Sequence, residues 1–131
     1  MTMSVKDLVT EARAGLRNLN VDEVASALDD GVALLVDIRE PRELEEQGVI
    51  PGAIHAARGM LEFHADPSSP YHRGEFDPSR RIILYCASGG RSALAAATLT
   101  RMGYDDLAHL DGGLKAWKDA GRPVDTRATA R

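Results

Sequence analysis

The chain has 131 residues, of which 44% are hydrophobic and 27% charged, and its formal net charge is −4 at pH 7. This length and composition predict one globular domain with its own core, and the negative charge argues against general nucleic-acid binding. No apolar run is long enough to cross a membrane and no basic region precedes an apolar one at the start, so we expect no membrane attachment, no signal peptide and a cytoplasmic location.

Two helices are predicted before the first strand. Apolar residues recur at helical spacing over residues 4–17, and Ser4 is suited to cap the start of that helix. A second helix is predicted over residues 21–28, because Asn20 followed by an acidic residue three positions later repeats the capping pattern. We interpret residues 1–20 as an N-terminal helical extension.

The rest of the chain alternates between strand and helix patterns. Strands are predicted at 32–36, within 49–55, at 81–85 and within 105–110, and helices at 41–46, 58–63, 92–102 and 114–120. Residues 65–80, rich in proline, serine and charge, predict an irregular surface loop. The alternation predicts an α/β fold, with a small, mostly parallel central sheet and helices on both faces. This domain is expected to span residues 21–124, followed by a loose tail over 125–131.

The chain's one cysteine, Cys86, lies in a small-residue loop between the apolar run 81–85 and the alanine-rich helix 92–102. Such a loop can turn its N–H groups inward around the sulfur, and the helix start adds unpaired N–H groups and the positive end of its dipole. This arrangement favours an anion, either a thiolate or a bound oxyanion. An inert buried cysteine is the alternative interpretation, and the Ser-Gly-Gly-Arg continuation favours the reactive one.

Three chemistries use a thiolate in such a loop. A phosphatase needs room for a phosphate, a nearby acid and an arginine that grips the oxygens. A sulfurtransferase needs a tighter loop that stabilises a thiolate and then a persulfide, and a redox sensor needs only an exposed, reactive thiol. A lone cysteine excludes an internal disulfide and a CxxC redox pair, so any persulfide must pass to an external acceptor.

The loop from Cys86 to Arg91 resembles the C-x-x-G-x-R active-site loop of the rhodanese family. Four residues separate the cysteine from the arginine, whereas the related phosphatases place five there, and the shorter loop suits sulfur better than phosphate. The likeness continues in the D-x-R-E pattern at 37–40, in the G-V-I-P-G-A pattern from residue 48, where histidine usually replaces the valine, and in the G-G-x-x-x-W pattern at 112–117. It covers nearly the whole predicted domain and is strongest for single-domain members.

The resemblance implies a two-step sulfur transfer. The Cys86 thiolate attacks the outer sulfur of a small anionic donor such as thiosulfate, sulfite leaves, and a persulfide remains. Cyanide, a thiol or a protein partner then accepts the sulfur. In this reading Cys86 and Arg91 are the catalytic residues, and no cofactor is required.

The resemblance also suggests supporting residues. The substrate is expected to contact the N–H groups of the loop residues Ala87, Ser88, Gly89, Gly90 and Ser92, and Arg58 is a candidate for holding a sulfonate. Asp37 and Arg39 can tune the site, although bracing the strand end is the stronger interpretation. The four histidines have no ligand-like spacing, so no metal site is predicted.

Two other functions remain open from the sequence. One is a small cysteine-based phosphatase or arsenate reductase, and the other is a non-enzymatic sulfur carrier or interaction module. The apolar stripe of the first helix permits pairing, so the chain is expected to be a monomer or a homodimer.

Overall fold

A computed structural model describes residues 2–126, which form one five-stranded sheet and the helices around it. The strands are β1 (Arg17–Leu19), β2 (Leu34–Asp37), β3 (Ile54–His55), β4 (Ile82–Tyr85) and β5 (Leu107–Leu110). The helices are α1 (Val5–Ala14), α2 (Val21–Asp29), α3 (Pro41–Gln47), α4 (Leu61–Ala65), α5 (Gly90–Arg101) and α6 (Gly113–Asp119), and a 3-10 turn at Arg58–Met60 precedes α4. Within residues 2–126, no helix is both long enough and apolar enough to span a membrane.

All neighbouring strands of the sheet run parallel, in the order β1-β5-β4-β2-β3. Strand β4 is central, with Leu34 of β2 opposite Ile82 and Leu107 of β5 opposite the same residue. All four residues of β4 are buried, as expected of a parallel strand covered on both faces. The prediction of a mostly parallel α/β sheet is confirmed.

Alternate residues of the central strands supply two separate cores, one on each face of the sheet. The first core joins sheet residues to helices α4 and α5, through Val36, Leu84, Leu61, Ala96 and Leu99. The second joins them to helices α2 and α6, through Leu35, Ile83, Val24, Leu114 and Trp117. The helices therefore cover both faces, as the sequence predicts.

The N-terminal segment differs from its prediction. The first helix ends at Ala14 rather than continuing to residue 17, and Gly15 follows as its C-cap. Residues 17–19 form strand β1, which pairs with β5 at the sheet edge, with Asn18 opposite His109. This strand has only three residues and its partner is far along the chain, so no local periodicity marks it.

The C-terminal segment is partly paired. Val49 and Asp125 exchange main-chain hydrogen bonds of 2.8 and 2.9 Å in an isolated antiparallel bridge. Asp125 belongs to the segment predicted as a loose tail, whereas residues 127–131 of that tail lie outside the described residues.

Candidate active site

Cys86 follows β4 directly and lies at the carboxyl edge of the sheet, before the start of α5. Its Sγ accepts hydrogen bonds from the N–H groups of Gly89 at 3.2 Å and Ser92 at 3.4 Å. The Ser92 hydroxyl lies 3.6 Å from the same sulfur. These three groups surround the sulfur with polar partners, although Cys86 is only 1% exposed.

Two of the loop's N–H groups bond the sulfur itself, and contact of the loop residues with a substrate stays a prediction. Among residues 2–126, the main-chain hydrogen bonds to Sγ come from Gly89 and Ser92, not from Ala87, Ser88 or Gly90. Gly89 has φ of +110°, a conformation that side chains rarely adopt, and it turns the loop into the first turn of α5.

Helix α6 fixes the other side of the loop. The N–H of Leu114 donates to the Cys86 carbonyl at 2.9 Å, and the N–H of Lys115 donates to the Ala87 carbonyl at 3.0 Å. Both carbonyls are thereby held by the helix start. Gly113 permits this approach, since a Cβ there would lie 2.5 Å from the Cys86 carbonyl oxygen. The two-glycine pattern at 112–113 therefore serves a close backbone contact as well as a turn.

Arg91 is bound to Glu43 of α3 rather than left free. Two hydrogen bonds of 2.8 Å join its guanidinium to the two carboxylate oxygens. The hydrogen bonds from Arg91 are the main reason that the pKa of Glu43 falls from 4.5 to about 2. Arg91 thus ties the start of α5 to α3, and its expected role in catalysis stays a prediction. Sequence reasoning missed Glu43; its position three residues after Glu40, as part of a capping box, marks only the helix start.

We expect Glu43→Gln to remove a stabilising contribution that depends on pH. Because the pKa of folded Glu43 is depressed, the ion pair contributes fully above about pH 4.5 and is progressively lost as the pH falls towards 2. The side chains of Arg91 and Glu43 are 40% and 28% exposed, so the contribution is about 0.5–1 kcal/mol at neutral pH. Urea unfolding of wild type and variant at about pH 6 and about pH 3 measures it, and the difference should shrink at the lower pH. An equal difference at both pH values would contradict this assignment.

Asp37 and Arg39 form a buried ion pair at the end of β2. Arg39 Nε and one terminal nitrogen donate to the two Asp37 oxygens at 3.0 and 2.7 Å, and both side chains are at most 1% exposed. The same terminal nitrogen of Arg39 donates to the Gly48 carbonyl at 2.7 Å. The other, Nη1, is buried and has no hydrogen-bond partner among residues 2–126. The guanidinium carbon lies 5.7 Å from the centroid of the Tyr85 ring. This geometry braces the end of strand β2, and a role for the pair in tuning the site stays a prediction.

Arg58 follows β3 at the same edge of the sheet. Its N–H donates to the Ile38 carbonyl at 3.0 Å, and its guanidinium pairs with Glu62 at 2.7 Å. Among residues 2–126 its side-chain hydrogen bond and ion pair are made with Glu62, not with the Cys86 loop. Its role in holding a sulfonate stays a prediction.

His109 is a residue of this site that sequence reasoning missed. It is fully buried, and Nδ1 lies 2.8 Å from the Ser92 hydroxyl, while Nε2 lies 2.7 Å from Oδ1 of Asn18. The signal in the sequence is a histidine inside an otherwise apolar strand pattern. Its partner Asn18 lies on β1, the strand that the sequence did not indicate.

A cavity of about 390 Å³ opens beside the loop. It is lined by Gln47, Ala87, Ser88, Leu114, Lys115 and Lys118. Lys115 pairs with Asp119 at 2.7 Å. Lys115, which is paired with Asp119, and Lys118 are therefore the cationic residues of this lining.

The fold and the site together define an α/β domain whose cysteine loop lies at the carboxyl edge of a parallel sheet. The Rhodanese-like domain model matches residues 20–120, and the chain belongs to that family. A protein of Allochromatium vinosum named "Sulfurtransferase" is 37% identical over 91 residues, covering 70% of this chain and 77% of that one.

Two solved structures extend the likeness. A protein of unknown function from Rhodopseudomonas palustris, described as a possible tyrosine phosphatase, is 42% identical with a TM-score of 0.90, covering 95% of this chain and 96% of that one. The polysulfide-sulfur transferase homodimer of Wolinella succinogenes is 28% identical with a TM-score of 0.76, covering 95% of this chain and 88% of that one.

Proposed function

We propose that this protein is a sulfurtransferase that carries sulfane sulfur as a persulfide on Cys86. The observation that carries the proposal is the set of hydrogen-bond donors directed at one sulfur, the N–H groups of Gly89 and Ser92. Such donors stabilise a thiolate at Sγ, the form of the cysteine that attacks the sulfur of a donor. The family membership and the sulfurtransferases among its relatives support the same chemistry.

The reaction has two displacement steps. In the first, the Cys86 thiolate attacks the outer sulfur of thiosulfate, the bond from that sulfur to the sulfonate breaks, and sulfite leaves with the electron pair. In the second, a thiolate or cyanide attacks the outer sulfur of the persulfide, and Cys86 leaves as a thiolate. A polysulfide serves equally as donor in the first step, with a shorter polysulfide as the leaving group. The lysines beside the loop support an anionic donor.

The acceptor is external, because the chain has no second cysteine to resolve the persulfide. A reducing compartment such as the cytoplasm keeps Cys86 available as a thiol between turnovers, so a cytoplasmic location belongs to the same proposal. Either a monomer or a homodimer is compatible with it.

Phosphate-ester hydrolysis is the second candidate, because the Rhodopseudomonas palustris neighbour is described as a possible tyrosine phosphatase. Two features of this chain favour sulfur. The loop places four residues between Cys86 and Arg91. The guanidinium of Arg91 is held by both oxygens of Glu43, which competes with any grip on phosphate oxygens.

Intact-mass measurement after incubation with thiosulfate, and separately with polysulfide, tests the proposal. We expect one added sulfur atom per chain, removed on addition of cyanide, and no addition to the Cys86→Ser control. Uptake without turnover to any small acceptor would indicate a sulfur carrier instead of an enzyme. No uptake from either donor, with Cys86-dependent turnover of an aryl phosphate or arsenate, would replace the proposal by the second candidate.

A further inference from the structure

A series of hydrogen bonds connects the Cys86 sulfur, through Ser92 and His109, to Asn18 of the edge strand β1. The bonds made by the Ser92 hydroxyl are buried, and the bond between His109 and the exposed Asn18 is partly buried. Asn18 determines which way these hydrogen bonds run. Its Nδ2 donates to the Arg13 carbonyl at 3.0 Å and to the Leu16 carbonyl at 3.3 Å. Oδ1 of Asn18 therefore faces His109 as an acceptor, which assigns the proton of the neutral ring to Nε2. The other ring nitrogen, Nδ1, is left as an acceptor.

Ser92 stands between that ring nitrogen and the sulfur. Its hydroxyl lies 2.8 Å from His109 Nδ1, 3.6 Å from Cys86 Sγ and 3.2 Å from the Gly89 carbonyl. The hydroxyl has one proton to donate, so it serves one of these acceptors at a time.

Counting the hydrogen-bond donors and acceptors shows which protonation states of Cys86 and His109 are compatible with the hydrogen bonds through Ser92. With a thiol and a neutral ring, the thiol donates to Ser92 and Ser92 donates to Nδ1. With a thiolate and a protonated ring, the directions reverse: Nδ1 donates to Ser92, and Ser92 donates to the sulfur. With a thiolate and a neutral ring, both Cys86 Sγ and His109 Nδ1 are acceptors. The Ser92 hydroxyl can donate to only one of them, and the other is left without a hydroxyl donor.

We propose that His109 receives, through Ser92, the proton that Cys86 releases on becoming a thiolate, an inference that rests on the proposed role of Cys86 as the nucleophile. The S–H bond breaks as its proton joins the Ser92 oxygen, while the Ser92 proton moves to Nδ1 of His109. No proton leaves the protein, and the product is a thiolate paired with an imidazolium across one hydroxyl. His109 acts through Ser92 and is a positioning residue, and Asn18 fixes its ring.

The charges around His109 are consistent with this role. Burial is the main reason that its pKa is lowered, so the ring is neutral before the reaction and becomes an imidazolium only beside a compensating negative charge. Asp111 raises and Arg13 lowers the pKa of His109, and these two are themselves joined by hydrogen bonds of 2.6 and 2.9 Å. Asn18 and Ser92, the other partners of the ring, are uncharged. The thiolate is therefore the charge that compensates a protonated His109.

The test follows the Cys86 thiolate directly by its ultraviolet absorbance as a function of pH, with Cys86→Ser as the blank. The key variant is His109→Asn, whose amide oxygen takes the place of Nδ1 as an acceptor for Ser92 but cannot take up a proton. We expect the thiolate fraction at neutral pH to fall about tenfold in His109→Asn, the loss that corresponds to about one pH unit. The control is His64→Asn. His64 is bonded to the Tyr71 carbonyl and takes no part in the hydrogen bonds between Cys86, Ser92, His109 and Asn18, so this variant should leave the thiolate fraction unchanged.

An unchanged thiolate fraction in folded His109→Asn would overturn the proposal, because a purely structural histidine is rescued by asparagine. Nitrogen NMR of the His109 ring in the unmutated protein gives a second measurement that needs no variant to fold. We expect the Nε2–H form of the neutral ring, and the Nδ1–H form would equally overturn the proposal. Neither measurement uses a sulfur donor, so failure here is distinguishable from failure of sulfur uptake.

Discussion

Replacing Gly113 by alanine is expected to slow the loading of sulfur onto Cys86 by about 10²-fold, the usual consequence of displacing a reactive group by about 1 Å. The added Cβ would lie 2.5 Å from the Cys86 carbonyl oxygen and 2.7 Å from the Ala87 carbonyl carbon, so helix α6 must retreat from the loop. The N–H groups of Leu114 and Lys115 would then lose the two loop carbonyls. The initial rate of mass increase with thiosulfate measures the effect.

Gly121→Ala is the matched control for this variant. Gly113 and Gly121 both have positive φ, +60° and +76°, so alanine strains the backbone at either position. Nothing lies within 4 Å of the Cβ position at Gly121, however, so only Gly113→Ala disturbs the loop. Equal loading rates in the two variants would show that α6 does not set the geometry of the site.

Removing the charge of Asp37 is expected to lower the free energy of unfolding by about 3–5 kcal/mol, the range for breaking a buried ion pair from one side. In Asp37→Asn, the guanidinium of Arg39 keeps its charge and remains fully buried. It is then left with an amide and the Gly48 carbonyl in place of a carboxylate. Urea denaturation at neutral pH measures the loss.

Two comparisons make this prediction specific to burial. Arg42→Ala breaks an exposed ion pair with Glu46 on the neighbouring helix α3, which contributes about 0.3–0.5 kcal/mol. In the double variant Asp37→Leu with Arg39→Met, no charge remains in the core, and most of the lost stability should return. A loss in Asp37→Asn no larger than that in Arg42→Ala would mean that the buried pair contributes little to the fold.

The loop around Cys86 could be predicted because its determinants are neighbours in the chain. An apolar run places Cys86 at the end of a strand, Gly89 allows the turn, and a run of residues that favour helix follows. The two N–H groups that bond the sulfur belong to residues only three and six positions after the cysteine, within the same local stretch. Arg91 was singled out by the resemblance of the same stretch to the C-x-x-G-x-R loop, although its partner Glu43 was not predicted.

The partners of the loop could not be predicted, because they come from distant parts of the chain. Glu43 reaches Arg91 from α3, 48 positions away, and Asn18 reaches His109 across 91 positions. Each of these two contacts depends on which strands and helices become neighbours in the fold. Strand β1 has only three residues, too few for a sequence pattern that would predict its position beside β5. A local pattern of apolar residues does not indicate which strands will pair.

The sequence by itself determined the parallel α/β architecture and the place of the one cysteine in a loop between a strand and a helix, since periodicity, turn chemistry and one cysteine are local properties. Only the tertiary structure decided that Arg91 is neutralised by Glu43, that α6 holds the loop carbonyls, and that a buried histidine stands behind Ser92. These contacts form because packing two cores against one sheet brings together side chains whose separation along the chain carries no signal.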